Sequence, residues 1–304
     1  MAEDPFDRDH APVPGRAEPL APGLIAVTAA NPGPMTFTGT RTYLLGDREV
    51  AVIDPGPLDP AHQAAVAAAV PAGGRVAAIL VTHGHRDHSE GARALQDILQ
   101  APILGFGPAE RSPAMAALAA AGAIGGGEGV DAGFAPDRRL ADGEVAAGAG
   151  WRLTAVHTPG HLGDHLSFAW EGGLFSGDTV MGWATTLISP PDGDLGAFLA
   201  SLRRLRARAE RRYFPGHGKP IEDAHAMIDW QIAHRAAREA QIRAALARGP
   251  SDVPGLVAQV YPGLDPALRG AAGRNVLAHL IDLAERGGVG AEGGVAAGAI
   301  YRLI

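Results

Sequence analysis

The stretch VTHGHRDHSEGA, Val81 to Ala92, decides how this chain is read: three of its twelve histidines, His83, His85 and His88, and the aspartate Asp87 fall within six residues. They follow the apolar run VAAILV (76–81), which has the length and composition of a buried strand. Side chains two apart at a strand end point to the same side, so the rings of His83 and His85 can meet one ion. Asp87 and His88 lie in the turn into the next helix, placed to reach a second ion close by. A reading as helix caps and polar loop residues competes, but it does not account for four such groups in six residues. Imidazole and carboxylate ligands are what zinc selects.

Outward from this stretch, similar residues recur where an apolar run meets glycine: Asp54 in VIDPG, His161 in HTPGHLGDH, Asp178 in LFSGDTV and His217 in YFPGHG. If these runs are strands of shared sheets, all of the groups converge at one edge, where sites on sheet folds are built. The three clustered histidines are then half of one site.

Composition narrows the chemistry. Of 304 residues 46% are hydrophobic, enough for a substantial core, and none is cysteine. Disulfides, thiolate ligands and thiol nucleophiles are excluded, so a metal must be held by His, Asp or Glu. A net charge of −7 offers polyanions no general attraction. The opening MAEDPFDRDHAPVPGRAEP is acidic and proline-rich, unlike an export signal, and no apolar run approaches the roughly 20 residues of a membrane span. A cytoplasmic protein with no membrane partner is expected.

Residues 1–22 are expected as a flexible tail, 23–220 as a catalytic domain and 221–304 as a separate C-terminal module. In the second span, residues 24–30, 41–46 and 49–56 read as strands, and strand then alternates with helix: Pro60–Val70 helical, 75–83 a buried strand, Ser89–Gln100 helical with Ser89 as N-cap. WRLTAVHTPG and HLSFAWEGGLFSGD return to strands; 195–212 is helical with Leu195, Phe198, Leu199, Leu202 and Leu205 on one face, followed by a short strand in RRYFPGHG. Past residue 220 a long amphipathic helix, two helical fragments and a strand-like end, AGAIYRLI, follow the order of a small winged helix.

These residues in this order closely resemble the metallo-β-lactamase superfamily, over all of residues 24–220. The resemblance implies an α+β fold, an αββα sandwich with metals at the sheet edge. It implies that His83, His85 and His161 hold one metal, that Asp87, His88 and His217 hold the second, and that Asp178 bridges them. Asp54 supports the metal loop as a hydrogen-bond acceptor without being a ligand. The bridging aspartate and the lack of cysteine depart from the antibiotic-degrading branch with a cysteine ligand, and the extra carboxylate of the di-iron oxygen-reducing branch is missing. Two zinc ions are expected, with Mn or Fe as alternatives. Two cations about 3.5–4 Å apart would ionise a bridging water to the attacking hydroxide and polarise the carbonyl or phosphoryl oxygen. Asp87 could accept and orient its proton.

NPGPMTFTGTRTYLLG, GDTVMGWATT, IAHRAAREAQI and NVLAHLIDLAERG resemble the β-lactamase-like group with a C-terminal winged helix that includes a mitochondrial endoribonuclease. Cleavage of single-stranded RNA is the activity this implies; hydrolysis of a small thioester or lactone is the alternative, since the same centre would serve both. A transcription factor with the sandwich as sensor is disfavoured by a complete ligand set. Arg41 stands where the resemblance leads one to expect asparagine, and is a candidate substrate contact. Six arginines, Arg203, Arg204, Arg206, Arg208, Arg211 and Arg212, could meet phosphates, or form a solvated helix end favoured by the helix dipole. His165 is a candidate general acid or a buried strand histidine, His234 a candidate reaching into the cleft from the long helix, and His157 a candidate support for the ligands. His62, His225 and His279 read as structural or surface residues. The superfamily resemblance also suggests a homodimer.

Overall fold

The structure is a computed structural model that describes residues 4–126 and 129–304. In chain order its elements are β1 (Ala17–Ala21), β2 (Leu24–Thr28), β3 (Arg41–Leu45), β4 (Glu49–Ile53), α1 (Pro60–Ala68) and β5 (Arg75–Leu80). Then come α2 (Arg86–Ser89), α3 (Ala92–Leu99), β6 (Ile103–Gly105), α4 (Pro113–Ala120), β7 (Arg138–Arg139), β8 (Val145–Gly148), β9 (Trp151–His157), β10 (Leu166–Trp170) and β11 (Gly173–Gly177). The chain finishes with α5 (Leu195–Arg206), β12 (Tyr213–Pro215), α6 (Ala224–Leu246), α7 (Val253–Val260), α8 (Arg269–Glu285), β13 (Val289–Ala291) and β14 (Tyr301–Leu303).

Two sheets face each other. The first runs β1-β2-β3-β4-β5-β6-β7, antiparallel as far as β4 and parallel beyond; the second runs β12-β11-β10-β9-β8. Their inner faces bury Tyr43, Ile53, Leu80, Leu153, Phe168, Phe175 and Phe214 in one core. Val66 of α1 and Leu95 of α3 cover the outer face of the first sheet. Phe198 and Leu202 of α5 with Ile228 of α6 cover the second. This is an αββα sandwich. Because β4 and β5 run parallel, the turns that follow them, carrying Asp54 and His83, emerge at the same edge.

The C-terminal helices make their own core. The last part of α6 (Ile242, Leu246), α7, α8 and the β13–β14 hairpin bury Leu256, Val276, Leu280 and Tyr301, a winged-helix arrangement that also takes in Met115 of α4. The first part of α6 belongs to the sandwich and its end to the winged helix, so this helix joins both cores. Among the described residues no helix is long and apolar enough to cross a membrane.

Three local expectations are corrected. Residues 17–21 of the expected tail form edge strand β1, paired antiparallel with β2; Asp7 and His10 before it are hydrogen-bonded to the body, and residues 1–3 lie outside the described residues. Ser89 is not an N-cap: it ends α2, where its hydroxyl donates to the His85 carbonyl, and α3 starts after Gly91. The arginine-rich helix stops at Arg206, so Arg208, Arg211 and Arg212 lie beyond it.

Candidate metal centre

Every predicted ligand leaves a strand at the same edge. His83 follows β5, His85 caps α2, Asp87 and His88 lie on α2, His161 lies between β9 and β10, Asp178 follows β11 and His217 follows β12. They form two groups, His83, His85, His161 and Asp178 in one, and Asp87, His88 and His217 in the other, with the ligand atoms of each group within 4.8 Å of one another.

In the first group the His83 Nε2 and His161 Nε2 atoms lie 2.9 and 3.0 Å from His85 Nδ1. Two ligands at about 2.0–2.1 Å from a tetrahedral zinc stand about 3.3 Å apart, so these hydrogen-bond distances would have to open by only a few tenths of an ångström around an ion. Burial, reinforced by neighbouring imidazoles, pushes His83 well below its ordinary range and His85 down to about 3; burial also lowers His161. All three rings are therefore neutral near pH 7, the form that binds a cation.

The second group is electrostatically different. Burial opposes charge on His88 and His217, but Asp87 and Asp178 outweigh it, raising His88 well above the usual imidazole range and His217 to about 9. The same contacts overcome burial of Asp87 and Asp178 and hold both carboxyls well below the usual range. Asp178 lies between the groups, its Oδ2 being 3.6 Å from His161 Nε2 and 3.5 Å from His217 Nε2. Its Oδ1 and the Nε2 of His88, 3.6 Å apart, are buried with no hydrogen-bond partner. Orphaned buried acceptors and donors are costly unless something else satisfies them. A divalent cation between them fits this donor set.

A shell of neighbours aims the ligands. Asp54, in a left-handed conformation with φ 54°, accepts from the Thr82 amide at 2.8 Å and the Thr82 hydroxyl at 2.9 Å, and its Oδ2 lies 2.9 Å from His88 Nδ1. Thus Nδ1 of His88 keeps its proton against Asp54, and Nε2, which faces the site, is the nitrogen that must lose its proton to bind a metal. Thr40 donates to Asp87 Oδ2 at 2.9 Å, and the Leu187 carbonyl accepts from His161 Nδ1 at 2.8 Å. Gly216 must lack a side chain, because a Cβ there would stand 2.5 Å from the His88 ring and 2.6 Å from Asp178 Oδ1.

Other candidates fall elsewhere. His165 is fully buried beneath the cluster; its Nε2 accepts from the Asp178 amide at 3.1 Å and its Nδ1 lies 2.9 Å from the Thr158 hydroxyl. With both nitrogens engaged and no solvent path it is the buried strand histidine, not a general acid. Arg41 is also fully buried: its guanidinium donates to Glu18 at 2.7 Å and to the Gly218 carbonyl at 3.2 Å, and lies 3.0 Å from His10 Nε2. It ties the His217 loop to β1 and offers substrate no free face. His234 stacks on Trp230 with centroids 4.8 Å apart, away from the ligands, and His157 stacks on Phe106 and pairs with the Gly163 carbonyl. His62 is buried against Thr42.

The residues missed in the sequence are Thr40, Thr82 and Thr186, whose hydroxyl donates to the Asp178 carbonyl at 2.8 Å, together with Phe37 and Trp183. The last two rings stack 4.9 Å apart at 8°, half-buried on the loops that carry Thr40 and Asp178. No spacing pattern marks them; only the fold brings them together.

Comparison with known proteins agrees with this geometry. Residues 35–217 match the family described as the metallo-beta-lactamase superfamily, and residues 253–297 match the beta-lactamase associated winged helix domain. A Drosophila melanogaster protein named beta-lactamase-like protein 2 homolog is 32% identical over 281 residues, covering 88% of this chain and 90% of that protein. An atrochrysone carboxyl ACP thioesterase of Aspergillus fumigatus is 32% identical over 234 residues, covering 75% of this chain and 66% of that protein. The crystal structure of a beta-lactamase domain protein from Burkholderia ambifaria superposes with a TM-score of 0.80 at 27% identity, covering 97% and 96% of the two chains. This chain belongs to the metallo-β-lactamase superfamily of hydrolases and carries the winged-helix domain associated with it.

Proposed function

We propose that this chain is a binuclear zinc hydrolase of acyl thioesters. The observation that carries this reading is the aromatic wall at the second ligand group. Trp183 packs on Gly218, next to His217, with a Cβ at Gly218 only 3.2 Å from its ring. Phe37 stacks on Trp183 from the loop whose Gly39 carbonyl lies 3.3 Å from His217 Nδ1. Met35, two residues before Phe37, is exposed. Such a wall suits an apolar acyl group.

Five of the six arginines that could have met RNA are held in ion pairs, and Arg204 also donates to the carbonyl of His157, four residues before His161. Arg204 pairs with Asp142, Arg206 with Asp229, Arg208 with Glu210, Arg211 with Asp223 and Arg212 with Glu222. Exposed pairs are worth only about 0–1 kcal/mol and would yield to phosphate, so position decides. Arg212 enters β12 at the end opposite to His217, on the order of 15 Å away at about 3.3 Å per strand residue.

Leaving-group chemistry agrees. A thiolate with a conjugate pKa near 8.5 departs without protonation, whereas an alkoxide needs a general acid, and His165 is too deeply engaged to be one. Two ions held by His83, His85, His161, Asp178, Asp87, His88 and His217 would supply an ionised water near neutral pH and polarise the scissile carbonyl. Asp87, fixed by Thr40, would orient that water and take its proton; Asp54, facing His88 Nδ1, leaves Nε2 as the nitrogen turned to the site. Water oxygen joins the acyl carbon, the C–S bond breaks, and a carboxylate and a thiol are released. The relative named as an acyl-carrier thioesterase supports this class.

The test is hydrolysis of S-acyl pantetheine substrates of two to ten carbons beside end-labelled single-stranded RNA. Longer acyl groups are expected to lower KM, and Trp183→Ala to erase that trend. Cleavage of RNA with no thioester turnover would assign the site to phosphodiesters.

A further inference from the structure

The loop from Thr186 to Ile188 touches His161 and the backbone that carries Asp178, both of the first ligand group, and is held from behind by helices α6 and α8. The Thr186 hydroxyl donates to the carbonyls of Asp178 and Thr179 at 2.8 and 3.1 Å, and the Leu187 carbonyl orients His161 through Nδ1. On the far side Arg235 of α6 donates through Nη2 to the Thr186 carbonyl and through Nη1 to Asn275 Oδ1 at 3.0 Å. Asn275, on α8, also accepts from the Ile188 amide at 3.2 Å. Arg274 beside it donates to the Pro190 carbonyl at 3.1 Å.

Arg235 is an expensive residue for this place. It is 4% exposed, its Nε has no partner, and among the described residues no carboxylate pairs with it. A buried guanidinium costs several kcal/mol of desolvation, and apolar side chains of similar volume usually stabilise a core at least as well. Packing over Phe198, 5.7 Å from the ring centroid, would be served by Met or Leu. What an apolar residue cannot do is hold a carbonyl and an amide at fixed points on two neighbouring elements.

We infer that Arg235 and Asn275 are positioning residues through which the linking helix α6 and the winged-helix module set the aim of His161 and the affinity of the first metal group. This rests on the binuclear reading above. In a carbonyl-to-histidine contact, the carbonyl selects the tautomer and direction of the ring, and losing such an outer partner typically costs 10–100-fold in metal affinity. Here that carbonyl belongs to a loop whose neighbours on both sides are pinned, one by Arg235 of the linking helix α6 and one by Asn275 of the winged helix. A metal site assembled from one sheet edge thus depends on helices that contribute no ligand to it.

The experiment is chelator competition on the zinc-loaded full chain, with the visible spectrum of the cobalt-substituted protein as a second readout. Asn275→Ala and Arg235→Met are compared with Gln231→Leu, a buried position one turn before Arg235 on α6 whose amide atoms have no hydrogen-bond partner among the described residues. The expected result is that Asn275→Ala and Arg235→Met weaken one zinc about tenfold or more and alter the cobalt bands, the other zinc staying within about twofold. Gln231→Leu should leave both affinities unchanged whatever it does to the melting temperature. Asn275 is only half-buried, so Asn275→Ala keeps the test open should Arg235→Met fail to fold. Titrations of Asn275→Ala that superimpose on wild type would overturn the inference while leaving the metal centre intact. A wild-type chain that takes up no zinc would overturn both.

Discussion

Stripping the metal and raising the pH separates the two ligand groups. In the metal-free chain His217 is held at about 9 against an ordinary 6.5, because Asp178 and Asp87 overcome the burial that would lower it. A raised folded-state value means stability that is fully present below pH 6.5 and lost as pH rises through 9, amounting to about 3 kcal/mol when fully developed. From about pH 7.5 to 9.5 the loss is about 2 kcal/mol, and His88, also raised, adds in the same direction. Asp164, pushed up to about 7 by burial, is already mostly ionised at the lower limit and adds only a few tenths of a kcal/mol in the same direction, and the depressed His83, His85 and His161 stay neutral throughout. Calorimetry of the apo protein should therefore show its melting temperature falling by roughly 4 °C or more across this window. Zinc should reverse the trend, since His88 and His217 must shed protons before they can bind, and binding strengthens as pH rises. An apo melting temperature that is flat or rising between these limits would refute the electrostatic account of the second group.

Other substitutions probe single contacts. Asp54→Asn removes the acceptor that fixes His88 and should lower zinc affinity about 10–100-fold, read by chelator competition, with little change in secondary structure by circular dichroism. Gly216→Ala forces a methyl against His88 and Asp178 and should abolish uptake of the second zinc, counted by atomic absorption. Replacing Arg204 and Arg206 by Ala should leave thioester kcat/KM within about twofold and lower the melting temperature only slightly, since the losses are exposed ion pairs, one bond from Arg204 to the His157 carbonyl and one contact of Arg206 with His225. A tenfold loss of activity would bring that helix back to the substrate.

The metal centre was legible because its ligands are local signals. His83 to His88 form one short motif, and Asp54, His161, Asp178 and His217 each mark a strand end next to glycine, so one assumption about shared sheets joined them. What was not legible depends on contacts far apart in sequence. Arg41 stands at a loop where a substrate contact is plausible, yet Glu18 and the Gly218 carbonyl bury its guanidinium. His165 is four residues from a ligand, and only the placement of β10 shows it beneath the cluster. AEPLA at 17–21 has weak strand propensity and a proline, and becomes a strand because β2 supplies an edge, tertiary pairing overriding local preference. Arg235 and Asn275 join the loop they hold across 49 and 87 residues respectively.

The proposed activity is thioester hydrolysis by two zinc ions, with the acyl group beside the second ligand group. Its most direct test is the zinc content of the purified chain and of His88→Ala, with turnover of an S-acyl pantetheine and of single-stranded RNA measured on the same samples. The account predicts two zinc ions in the wild type, thioester hydrolysis that falls by at least about a hundredfold in His88→Ala, and RNA left intact. RNA cleavage without thioester turnover, or a His88→Ala variant as active as wild type, would contradict it.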